Sequence, residues 1–320
     1  MDYGFDSERA KDFPPMVVVS ITNVCNQRCI HCHWEAYSHH AGYVGTEMPW
    51  DVWVKIIDEM ALHPWSILNL GTDGEPLTHR RFIDMMRYAK GKGIQLINLT
   101  TNGTLLTPEK AEIILHERLI DIINISLDAF HEETYERIRK SRHYKKVHDN
   151  IHRLIDRRAA LQAPARIQVN IIDQEEARAE IPAFVEYWQP LVDNVMVRTY
   201  YDATHVTGQP GPNLTGKQVP FEPVERWPCQ QFWRRFNINE VGEARYCVDD
   251  WYNKSKIGDI RTSSIKEIWQ SSAYEEYRQI HLRGDFHANP FCADCTEWQG
   301  MRWDYDYFTA IEKMTGKKPL

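Results

Sequence analysis

Cys25-Asn26-Gln27-Arg28-Cys29-Ile30-His31-Cys32 places three thiols at C-x3-C-x2-C, directly behind an apolar run from Val17 to Ile21. Thiolates suit zinc, copper or an iron–sulfur cluster far better than magnesium or calcium. Three of them are one short of the four ligands that a purely structural zinc site takes. Two readings stand: a zinc knuckle completed by His31 or His33, or a cubane cluster that keeps one iron free for an exchangeable ligand.

Working outward, the 320 residues give room for a large domain and an appendage. Apolar residues make up 42% and charged residues 26%, as in an ordinary globular protein. The longest apolar runs, such as Met16 to Ser20 and Ile122 to Leu127, fall well short of the roughly 20 residues of a membrane span. The first fifteen residues are polar and acidic and lack the basic and apolar regions of a secretory signal, which predicts a cytoplasmic protein with no membrane partner. A net charge of -7 argues against nucleic acid as the main partner. The basic segments Arg137 to Lys146 and Arg234-Arg235 read as solvated faces.

Seven cysteines leave any complete disulfide scheme with one over, and a reducing compartment disfavours disulfides. They fall as Cys25, Cys29 and Cys32 near the start and Cys229, Cys247, Cys292 and Cys295 near the end. Three plus four is the arithmetic of two metal centres.

Between the two sets, strands and helices alternate. Strands are predicted at Ser66 to Leu70, Ile94 to Leu99, Ile120 to Leu127, Arg166 to Ile172 and Asn194 to Tyr200, after a first near Val17. Helices fall between them: Pro49 to Leu62, Arg80 to Lys90, Pro108 to Arg118, His131 to Ile138, Val147 to Leu161 and Glu176 to Trp188. Such alternation implies parallel strands joined by right-handed crossovers. The expected fold is α/β, a partial (β/α)6 TIM-like barrel with a small C-terminal β-hairpin plus helix domain that carries the second cysteine set. Its expected parts are an N-terminal extension (1–15), the barrel (16–200), a Gly- and Pro-rich connector (201–228), the second cysteine region (229–303) and a tail or helix (304–320). In the second region a hairpin turns around Asn239 to Gly242, and one helix is expected from Ser264 to Leu282. Chemistry in barrels of this kind collects at the carboxyl ends of the strands. There the chain carries the Cys25 loop, Gly74-Glu75-Pro76, Asn102, Ser126 and Arg198.

Together, these motifs resemble the radical S-adenosylmethionine (SAM) enzymes, with His31 in the aromatic position before the third cysteine. The resemblance implies a [4Fe-4S] cluster on Cys25, Cys29 and Cys32 whose free iron chelates SAM, and a 5'-deoxyadenosyl radical that takes a hydrogen atom from substrate. It implies cofactor contacts for Gly74 and Glu75, with Glu75 accepting from the methionyl ammonium and Gly74 letting the backbone approach. Asp73 stands where the family has a further glycine. Asn102 is matched to a contact with the ribose or methionyl end, and Ser126 and Arg139 to a pair that holds the cofactor carboxylate, a chemistry for which a hydroxyl and a guanidinium fork are suited.

The spacing Cys229-x17-Cys247-x44-Cys292-x2-Cys295, with Gly242 five residues before Cys247, resembles the twitch domain, a shortened SPASM extension. That resemblance implies one auxiliary [4Fe-4S] cluster on four cysteines; a four-cysteine zinc ribbon has the same spacing. Full ligation leaves no open iron, so the auxiliary cluster is expected to accept an electron during a two-electron oxidation. An electron donor such as flavodoxin or ferredoxin is implied as partner. Arg198 is the expected group for a substrate oxygen, and Asp249, beside Asp250, the candidate base. No cysteine is left over to quench a product radical. The expected reaction is dehydrogenation of a sugar or aminocyclitol alcohol in natural-product (antibiotic) biosynthesis. The alternatives are a peptide-modifying maturase and a non-catalytic zinc scaffold. The fifteen residues before the first strand are too few for a leader-binding domain.

Overall fold

The computed structural model describes residues 7–200, 225–295, 297–300 and 307–317. A short helix α1 (Glu8–Asp12) leads into six strands, β1 (Met16–Val19), β2 (Ile67–Leu70), β3 (Ile97–Thr101), β4 (Ile122–Ser126), β5 (Arg166–Asp173) and β6 (Asn194–Thr199). Each is parallel to the next. Helix α2 (Trp34–Ser38) lies in the loop after β1, and α3 (Trp50–Met60), α4 (Phe82–Gly91), α5 (Pro108–His116), α6 (Glu132–Arg139), α7 (Tyr144–Leu161) and α8 (Ile181–Trp188) make the crossovers. The α/β alternation read from the chain is therefore present, and α2 is an addition to it.

The sheet does not stop at the barrel. After α9 (Gln231–Arg234), strand β7 (Arg235–Ile238) pairs in parallel with β1, and β8 (Glu243–Arg245) and β9 (Lys256–Asp259) follow antiparallel. The order is β6-β5-β4-β3-β2-β1-β7-β8-β9, an open sheet rather than a closed barrel. The expected hairpin is present as β7–β8, and its turn stands at the carboxyl ends of the strands because β7 runs with β1. Of the expected connector 201–228, residues 201–224 lie outside the described residues.

The single helix expected over Ser264 to Leu282 is two, α10 (Ile265–Trp269) and α11 (Ser272–Leu282). Ser264 closes a capping box with Glu267 at the first, and the Ser271 hydroxyl accepts from Tyr274 N at the second. A side-chain oxygen that satisfies a free amide starts a new helix at that point. Helix α12 (Pro290–Ala293) carries Cys292, and α13 (Tyr307–Thr315) closes the chain.

Period-two alternation sorts the strand residues onto two faces. Val17, Val19, Leu68, Leu70, Ile123 and Ile125 join the main core, against the crossover helices. Met16, Val18, Ile67 and Ile122 face the other way and pack on Phe308, Ile311 and Met314 of α13. Above that small cluster the same inner face is lined with amides. Asn98 donates to Asn69, Gln168 and Asn170 to Asn124, and Asn194 to Gln168. Buried amides bonded to one another avoid the cost of unpaired polar groups. No helix among the described residues is long and apolar enough to cross a membrane.

Candidate active site and metal centres

The first cysteine set lies in the loop after β1. It is held to the barrel by Ile30 N donating to Ile138 O at 2.8 Å and by Asn102 Nδ2 donating to Asn26 Oδ1 at 2.8 Å. The three thiols bear electrostatically on one another, and burial raises all of them, Cys25 to about 12. Thiols so placed keep their protons at neutral pH until a metal takes them. Arg139, 4% exposed, sends Nη1 to Cys29 Sγ at 3.4 Å, and its Nη2 stands 2.6 Å from Asp128 Oδ2. Its Nε is buried with no hydrogen-bond partner, an orphaned donor of the kind that a carboxylate takes.

Asp128 is the residue that the motif matching left without a role. It sits just past β4 in left-handed backbone conformation (φ 62°), 1% exposed, and its Oδ2 is 3.5 Å from His31 Nε2. Asp128 is thus the near partner of Arg139. Burial holds the His31 imidazole down to about 4, so it is neutral at pH 7. Arg198 adds its positive charge to that environment. Ser126 pairs with Asn170 and Arg198 with Ile172, so both stand on the inner, amide-lined face at the strand ends.

The turn after β2 carries Gly74 and Glu75. A Cβ on Gly74 would stand 2.6 Å from Val24 O and 2.7 Å from Thr22 O. The glycine is thus required by the close approach of the Cys25 loop, whatever else its bareness serves. Glu75, 2% exposed, already accepts from Leu77 N and Thr101 Oγ1 on Oε1 and from Asn102 N on Oε2. Burial raises its carboxyl, and these donors oppose the rise. Asn102 spends its side-chain oxygen on Thr104 N and Oγ1. Asp73, in place of the family glycine, takes Arg245 Nη2 at 2.5 Å. Neither Arg245 nor its neighbour Glu240 was singled out from the sequence. Glu240 accepts from Asn23 Nδ2 at 2.9 Å, and burial together with Asp73 pushes its carboxyl up to about 7.

In the second region Cys229, Cys247, Cys292 and Cys295 line one pocket with Phe232 and Trp298 among its walls. Among the described residues, no three His, Cys, Asp or Glu side chains converge as ligands of one metal ion. The four thiols share this common space, and an all-sulfur set around it fits an iron–sulfur cluster. Burial raises Cys229 and Cys295 to about 11. Asn289 Nδ2 donates to Cys292 Sγ at 3.3 Å, and Arg226 donates to the carbonyls of Cys292 and Ala293. Burial drives His281, which accepts from Cys229 N, down to about 3, so it is neutral. Asp249 lines this pocket, and its charge adds to the burial that raises Cys247. Its surroundings are therefore those of the second cysteine set.

Comparison with known proteins agrees with both halves of this description. Residues 19–159 match the model of the radical SAM superfamily, and residues 229–296 match that of the SPASM iron–sulfur cluster-binding domain. The tungsten-containing aldehyde ferredoxin oxidoreductase cofactor-modifying protein of Pyrococcus furiosus is 25% identical over 322 aligned positions, covering 87% of this chain and 86% of that one. Two solved structures share the fold. BtrN in complex with AdoMet and 2-DOIA superposes with a TM-score of 0.57 at 14% identity, over 88% of this chain and 92% of its own. SuiB of Streptococcus suis bound to S-adenosylmethionine does so at 0.64 and 15%, over 96% of this chain and 76% of its own. The cofactors are accordingly SAM and two [4Fe-4S] clusters, for which the three- and four-cysteine sets are the fitting residues. The chain belongs to the radical SAM superfamily, among the members that carry a SPASM/twitch iron–sulfur domain.

Proposed function

We propose that this radical SAM enzyme is a dehydrogenase that converts an alcohol of a small polar substrate, a sugar or an aminocyclitol, into a ketone in natural-product biosynthesis. The observation that carries the reading is the second pocket: four thiols line one space, and with all four engaged no position is left for substrate. When bound, SAM and the two clusters supply hydrogen-atom abstraction and the means to take up one further electron. In this reading Cys25, Cys29 and Cys32 hold the first cluster, and Cys229, Cys247, Cys292 and Cys295 the second. Glu75, Asn102, Ser126 and the orphaned Nε of Arg139 receive the polar end of SAM, and neutral His31 flanks it. Arg198, on the inner face at the end of β6, steadies the substrate oxygen. Asp249, beside Cys247, is the base that takes the hydroxyl proton released in the oxidation. The enzyme works in the cytoplasm with flavodoxin or ferredoxin as electron source.

The test is anaerobic reconstitution, then incubation with SAM, dithionite and a panel of aminocyclitols and sugars, read by mass spectrometry. A product lighter by two hydrogens, formed with one 5'-deoxyadenosine, is the expected result. Modification of peptides alone would replace this reading with that of a peptide maturase.

A further inference from the structure

The turn from Gly71 to Glu75 is gripped from three sides. Glu75 N donates to Val24 O at 2.9 Å on the Cys25 loop, and Gly74 lies flush against the same carbonyl. On the β3 side, the Glu75 carboxylate takes Thr101 and Asn102. From the second cysteine region comes Arg245, whose Nη2 meets Asp73 at 2.5 Å. Asp73 and Arg245 are 3% and 2% exposed. Asp73 Oδ1 and Arg245 Nε are buried with no hydrogen-bond partner.

Arg245 ends β8 two residues before Cys247, and the following loop wraps around it. Its Nη1 donates to Asp250 O. The Asp250 carboxylate accepts from Tyr252 N and Ser255 N, and Cys247 N donates to Ser255 Oγ at 3.4 Å. Whatever fixes Cys247 therefore fixes the backbone that aims Arg245. A buried ion pair adds little net stability over an apolar replacement, and in some proteins it instead specifies geometry between the parts that carry it. Here those parts are the turn of Glu75 and the loop of Cys247.

We propose that Asp73 and Arg245 form a positioning pair through which metal loading of the four-cysteine site strengthens SAM binding at the Glu75 turn. Linkage makes the effect reciprocal: bound SAM favours retention of metal at the second site. The inference uses only the two cofactor sites, so it stands or falls separately from the identity of the substrate.

The experiment is a thermodynamic cycle read by equilibrium dialysis of radiolabelled SAM, anaerobically, with iron counts and melting temperatures on every sample. Four proteins are compared: wild type, Cys292→Ala/Cys295→Ala, Asp73→Asn/Arg245→Gln, and the combination. Loss of second-site iron is expected to weaken SAM binding about ten-fold in the wild-type background and less than about two-fold once the pair is neutralised. Arg245→Lys, which keeps the charge without the fork, should fall between, and it also serves if the neutralised pair fails to fold. Equal weakening with and without the pair, or no weakening in the wild-type background, overturns the proposal.

Discussion

In the proposed reading the two cysteine regions use the same side chain for different purposes, and their surroundings differ. Around Cys25, Cys29 and Cys32 stand charged and polar groups: Arg139 with an idle Nε, Asp128, Glu75 and neutral His31. Around Cys229, Cys247, Cys292 and Cys295 the rings of Phe232, Tyr246, Phe291 and Trp298 make much of the wall, and Arg226, Asp249, His281 and Glu297 stand among them. A site that exchanges a zwitterionic ligand needs the former. One that only passes electrons is served by the latter, since burial and hydrogen bonds to sulfur set a cluster's potential.

The sharpest way to break this contrast is to remove each set of thiols. Alanine at Cys25, Cys29 and Cys32 should halve the iron from about eight atoms per chain and abolish 5'-deoxyadenosine formation. Cys292→Ala/Cys295→Ala should lose a similar share of iron yet still cleave SAM at saturating concentration while forming no oxidised product. If both variants lost SAM cleavage alike, the division of labour would be gone.

Next in size is the buried pair of the first site. Arg139→Met leaves Asp128 charged and unpaired, which should lower the unfolding free energy by about 3–5 kcal/mol. Arg139→Met/Asp128→Leu should recover much of that loss while SAM binding stays weak. Urea denaturation with parallel binding measurements separates the two effects.

A third probe lies between the regions, at Glu240, which faces Asp73, Arg245, Asn23, Tyr37 and Tyr43. Its carboxyl is raised to about 7 in the fold, so the stability it contributes is full below the ordinary carboxylate range, near 4.5, and is lost as pH climbs through 7. Between pH 5 and 8 the wild type should lose up to about 3 kcal/mol relative to Glu240→Gln. Parallel melting curves of the two proteins across that range would show no divergence if Glu240 titrated normally. Smallest is Gly74→Ala, where the added carbon meets backbone rather than a side chain that can swing away. It should cost about 1–3 kcal/mol in stability, the usual range for overpacking, and weaken SAM binding by displacing Glu75.

Much of this architecture is legible because it is written locally. Strand–helix alternation marks all six barrel strands, and the cysteine spacings separate the two sites. What escaped depends on contacts across long stretches of chain. Nothing near Arg235 to Ile238 announces that it pairs with Met16 to Val19, because that register is set by burial on both faces of β1. Arg245 reads as one more basic residue in a hairpin, and only the fold brings it to Asp73. Asp128 was visible at a strand end, but its meeting with Arg139 and His31 needs α6 folded back over the Cys25 loop. The broken helix at Ser271 is different in kind. Its hydroxyl was a local signal for a new start, outweighed by the apolar periodicity that runs through Trp269 and Tyr274.

The amide ladder on the inner face has a consequence for a protein that handles free radicals. Asn69, Asn98, Asn124, Gln168, Asn170 and Asn194 carry no thiol, phenol or indole. Those are the groups that most readily surrender a hydrogen atom or an electron. Polar lining built from carboxamides can solvate a ligand while offering a wandering radical less to attack, and the soft atom beside the ladder is Met196 Sδ, 3.9 Å from Gln168 Nε2. Replacing a rung by tyrosine or cysteine would give the wall a fuse.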